Sequence, residues 1–109
     1  MATTPKVLGQ SEPLATTLTD LYTVPGATNT TVSSITVCNT SATPTSFRIS
    51  VAVAGAVDAT SQYLFYDVTI PGNDSFVATV GVTLATTDVI RVYATLATLT
   101  FQAFGIEEA

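Results

Sequence analysis

The chain has 109 residues, the size of one domain, with 47% hydrophobic residues, 10% charged residues and a net charge of −5. That hydrophobic share excludes intrinsic disorder, and the cations Lys6, Arg48 and Arg91 are too few for the basic stripe that nucleic acid or an anionic membrane surface requires. The absence of histidine removes the commonest general base and metal ligand, and the one cysteine, Cys38, excludes an intrachain disulfide.

In chain order, residues 1–12 show no basic stretch leading into an apolar one, so no signal peptide is expected. They read as a flexible N-terminal arm, ordered only against a neighbour. Residues 13–109 read as one β-sandwich domain. No run approaches the roughly 18 apolar residues of a membrane-spanning helix. Pro13 to Asp20 is Thr-rich and short, and reads as a loop or edge strand.

Pro25-Gly26 marks a turn before a strand over about residues 30–39. Cys38 lies in that strand's apolar run and reads as a small buried hydrophobe ahead of a reactive thiol, and so sparing a use of cysteine points to synthesis in the cytosol. After the break at 40–44, Phe47, Ile49, Val51 and Val53 alternate with Arg48, Ser50 and Ala52, the period of two that defines a strand. Ala54-Gly55-Ala56 closes that run. From Gln62 to Ile70, simple alternation puts Tyr63, Phe65 and Asp67 on one side, with Leu64, Tyr66, Val68 and Ile70 on the other.

Pro71-Gly72-Asn73-Asp74 is the strongest turn. Pro presets φ, Gly permits a positive φ, and Asn or Asp can bond its own backbone. It echoes Thr23-Val24-Pro25-Gly26, as a shared hairpin geometry would. Phe76, Ala78, Val80 and Val82 alternate next, then Val89, Arg91 and Tyr93 opposite Ile90, Val92 and Ala94, and finally Leu99, Phe101 and Ala103. Short strands with regular turns and no helical period suggest a sandwich or a barrel. Where both faces are apolar, one is expected to meet the core and the other a neighbouring molecule.

The sequence offers little chemistry. A Ser-His-Asp triad is impossible, the six glycines stand singly rather than in a phosphate loop, and no tryptophan is present to stack a sugar. Asp58, Asp67, Asp74 and Asp88 lie near strand ends, where turn capping explains them better than a glycosidase pair or a calcium loop. No enzyme activity, cofactor or metal is expected. Arg48 and Arg91 interrupt apolar strands; each either lays its stem on the sheet or pairs with an acid such as Asp67 or Glu107 of another subunit. Tyr22, Tyr63, Tyr66 and Tyr93 suit an interface or a core edge equally. The candidate interface residues are therefore Arg48, Tyr63, Tyr66, Asp67, Arg91 and Tyr93.

Several segments together carry a resemblance: residues 8–10, 16–25 (TTLTDLYTVP), 33–39 (SSITVCN), 47–52 (FRISVA), 63–67 (YLFYD), 71–76 (PGNDSF), 88–94 (DVIRVYA) and 101–107 (FQAFGIE). Nearly the whole chain thus resembles a group of small virion structural proteins of tailed bacteriophages, including phages of cyanobacteria. The resemblance implies an antiparallel β-sandwich of jelly-roll type carried on the virion. It implies a capsid cement or decoration protein, a homo-oligomer and in particular a trimer, seated where major capsid proteins meet. The alternatives are a neck, tail or baseplate accessory subunit such as a fibre adaptor, and a carbohydrate-binding module on the virion surface.

Overall fold

The structure, a computed structural model, describes residues 2–109. Eight strands follow in order: β1 (Thr3–Ser11), β2 (Thr19–Thr23), β3 (Asn29–Asn39), β4 (Thr45–Ala52), β5 (Tyr63–Ile70), β6 (Ser75–Leu84), β7 (Val89–Ala94) and β8 (Leu99–Glu108). Two short 3-10 turns lie between β4 and β5. The strands form two antiparallel four-stranded sheets, ordered β1-β8-β3-β6 and β2-β7-β4-β5. The fold is all-β, a sandwich. Its pairings nest: β4 with β5, β3 with β6, β2 with β7 and β1 with β8. A long antiparallel ribbon rolled in this way is the jelly roll.

The alternating apolar positions meet between the sheets. Phe47, Ile49, Ile90 and Val92 come from one sheet, and Val32, Ile35, Val37, Leu99 and Phe101 from the other; all are buried. Phe47 lies at the centre, with ring centroids 5.3 Å from Phe76, 6.2 Å from Phe101 and 6.4 Å from Phe65. Burying so much apolar surface in small, β-branched and aromatic side chains is what holds a chain of this size together.

The expected flexible arm over residues 1–12 is corrected for the described part. Residues 3–11 form the edge strand β1, paired along its length with β8. The reading missed it because an edge strand is held by backbone hydrogen bonds on one side and can carry exposed polar side chains. The loop-or-edge alternative for Pro13 to Asp20 divides: residues 12–18 are loop and β2 begins at Thr19.

The two Pro-Gly turns do share a geometry, but not the one expected. The left-handed residue is the one after the glycine, Ala27 at φ 53° and Asn73 at φ 53°. Gly72 is required for space instead: a Cβ there would lie 2.1 Å from the carbonyl oxygen of Ala42.

Candidate functional site

The six candidate interface residues converge on the outer face of the β2-β7-β4-β5 sheet. Register sets Arg48 opposite Tyr93, and Ser50 opposite Arg91. The β5 residues arrive there by irregularity. Phe47 pairs with Val68, Ile49 with Phe65 and Ser50 with Tyr63, so the register shifts twice. Asp67 adopts φ 52° at the first shift. The bulges correct the simple alternation expected for this strand: Phe65 and Val68 pack against the core, while Tyr63, Tyr66 and Asp67 are all available to the outer face. Re-aiming a side chain is what a bulge does.

Arg48 is the hub. Its Nε donates to Asp67 Oδ1 at 2.6 Å, and Nη2 donates to Oδ2 at 3.4 Å. Its guanidinium carbon sits 4.2 Å from the Tyr66 ring centroid and 4.5 Å from that of Tyr93, a cation held between two aromatic rings. Asp67 holds the guanidinium above its ordinary range. Tyr63 meets Tyr66 edge-on at 5.0 Å and donates to Asp58 at 3.0 Å. Burial, then the bond to Asp58, pushes the Tyr63 phenol up. The expected partner of Arg48, Asp67, is thus found within the same chain. With its arginine matched internally, the cluster presents to a partner Tyr66, which is 53% exposed, together with the half-exposed Asp67 carboxylate.

Arg91 fastens the neighbouring row. It donates to Asp20 Oδ1 at 3.2 Å, to the carbonyl of Ala56 at 2.7 Å and to that of Gly55 at 3.2 Å. The segment after β4 is thereby held near β7. Asp88 assists from the side, accepting the backbone N–H groups of Ala54 and Ala85 at 2.9 Å each. Asp74 caps its own turn through the N–H of Ser75 at 2.8 Å. These carboxylates are committed to the backbone, and among the described residues no three His, Cys, Asp or Glu side chains gather as a metal site would need.

Sequence reasoning missed the opposite face. On the outside of the β1-β8-β3-β6 sheet, register aligns Val7, Phe104, Ser34 and Thr79 in one row. Gln10, Gln102, Thr36 and Val77 form the next, and Cys38 stands beside Thr100 and Ser75. None of these residues is charged. The signal lay in the alternate positions of four strands at once, which are legible together only when the pairing is known. Cys38 itself is half-buried on this outer face rather than in the core. Among the described residues, a shallow, open groove of about 430 Å³ lies beside Gln10, Glu12 and Gln102. Across it Gln10 Nε2 donates to Gln102 Oε1 at 2.9 Å.

No protein-family model, curated protein or solved structure matches this chain.

Proposed function

We propose that this protein is a non-enzymatic structural subunit of a tailed-phage virion, a cement or decoration protein that binds between major capsid proteins. The observation that carries the reading is the division of the surface. A stiff sandwich presents one face whose central rows carry no charge, with Glu12 and Glu108 only at its margins, and a second face whose arginines are already paired within the chain. Such faces can be buried against protein without stranding an ion, the main cost of docking a charged surface. Jelly rolls also serve in viral capsids, and in lectins and cupins, so the architecture supports the reading by analogy alone. A subunit that binds only the assembled shell stabilises it by mass action.

The test is immunogold labelling of purified particles with an antibody to this chain, followed by rebinding of purified Tyr66→Ala and Arg48→Ala variants to stripped particles. Label over the head, and rebinding weakened at least about tenfold in either variant, is the expected result. Label confined to the neck, tail or baseplate assigns the protein to an accessory subunit there. Absence from particles, with glycan binding lost in Tyr66→Ala, replaces the assembly role by carbohydrate recognition.

A further inference from the structure

We propose that two copies of this chain join edge to edge through β6, antiparallel about a two-fold axis, fusing their β1-β8-β3-β6 sheets into one eight-stranded sheet. The four edge strands differ in how far they are guarded. β1 carries Pro5 and Lys6 and a register shift; β2 is five residues long and carries Asp20; β5 is bulged twice and carries Asp67. β6 runs for ten residues, Ser75–Leu84, without a charge or a proline, and pairs with β3 alone. Charges, prolines, brevity and bulges are the devices that stop an edge from accepting another strand. On β6 only one of them is present, an irregularity opposite Val32 and Ser34, where Gly81 takes φ 59°. It leaves Ser75 to Val80 regular, about 20 Å of strand.

The chemistry of that edge names its occupant. A row of unpaired N–H and C=O groups calls for an extended backbone. Pairing a strand with itself sets like against like, so Lys6, Asp20 or Asp67 would each meet a nearby equal charge at the other three edges. At β6 nothing is opposed. The axis keeps outward positions beside outward positions, so Val77 and Thr79 of the two copies become neighbours, and Phe76 and Val80, now only half-buried, gain cover from the inner side. Val77 is 62% exposed, the most exposed large apolar residue within any strand. The uncharged central rows of the two faces would then run on as one surface. This contact deepens the assembly reading, replacing the trimer that the resemblance implies with a dimer. It is measured on the isolated protein, so it can fail while particle binding stands, and the reverse.

The test combines sedimentation equilibrium over a concentration series with amide hydrogen exchange across the same series. The expected result is a monomer–dimer equilibrium, with protection of β6 amides rising as dimer forms. Val77→Lys, checked for folding by circular dichroism, should weaken the dimer about tenfold or more, because like charges across paired strands repel. Thr36→Lys, beside Val77 on the face but one strand in from the edge, should leave it unchanged. A monomer at every concentration, a trimer, or a dimer broken by Thr36→Lys and not by Val77→Lys would each overturn the proposal. So would β6 amides that gain protection only on the particle, which would give the edge to a strand of another virion protein.

Discussion

The phenol of Tyr22 donates a 2.5 Å hydrogen bond to Oε2 of Glu107, tying β2 of one sheet to β8 of the other. The same phenol oxygen meets Thr30 Oγ1 at 2.8 Å, and Lys6 reaches Glu107 Oε1 at 3.2 Å. Tyr22 is buried. Its replacement by Phe leaves Thr30 and Glu107 short of a partner in a poorly hydrated place, and should cost about 1–3 kcal/mol in urea unfolding.

The same pair makes the stability of the fold depend on pH at both ends. Burial, then the bond to Glu107, pushes the Tyr22 phenol from 10.0 up to about 12. A proton held more tightly by the folded state supplies stability that is intact below the unfolded value and lost as pH rises through the folded one. Melting temperatures should therefore fall between pH 10 and pH 12, and fall less steeply in Tyr22→Phe.

At the acid end the sign reverses. The bond from Tyr22, and then Lys6, holds Glu107 below its usual value of 4.5. Its contribution is intact above that value and disappears as pH drops through the lower folded one. Thermal melts taken below pH 4.5 should show a shallower loss in Glu107→Gln than in the parent chain.

Phe47 touches three other phenylalanine rings and spans both sheets. Phe47→Ala should lower the unfolding free energy by about 3–5 kcal/mol, much of what a domain this small possesses. Equilibrium denaturation followed by tyrosine fluorescence would report it.

Close approach of backbones makes a sharper contrast. A Cβ at Gly105 would lie 2.1 Å from the carbonyl oxygen of Thr31, whereas one at Gly26 would meet nothing within 4 Å. Gly105→Ala should destabilise by about 3 kcal/mol, since backbone cannot step aside. Gly26→Ala should be neutral or stabilise by up to about 1 kcal/mol. Paired melts of the two variants decide the matter.

Much of the fold was written in alternation. Phe47, Ile49 and Val51 face inward as their spacing implies, as do Phe76, Ala78 and Val80, and Leu99, Phe101 and Ala103. Alternation failed at β5, because an inserted residue moves every later side chain to the other face, and nothing in Tyr63-Leu64-Phe65-Tyr66-Asp67 announces the insertions. It failed again at β1, where the partner supplies the structure. The candidate cluster was legible residue by residue, since aromatic and arginine side chains on strands are conspicuous in so uncharged a chain. Their convergence around Arg48 was not legible, because it depends on those bulges. The uncharged rows at the centre of the opposite face were hidden for a related reason: they consist of ordinary residues whose significance is collective.

The nesting of the pairs has a consequence in time. The β4–β5 ribbon closes a short loop, β3 with β6 a longer one, β2 with β7 a longer one still, and β1 cannot pair until β8 is in place. Each closure made early shortens the effective loop for the next, so the entropic cost of collapse is spread over successive steps. Protection from exchange during refolding should accordingly spread outward from the hairpin at the middle of the sequence, and arrive last where the two ends of this chain meet.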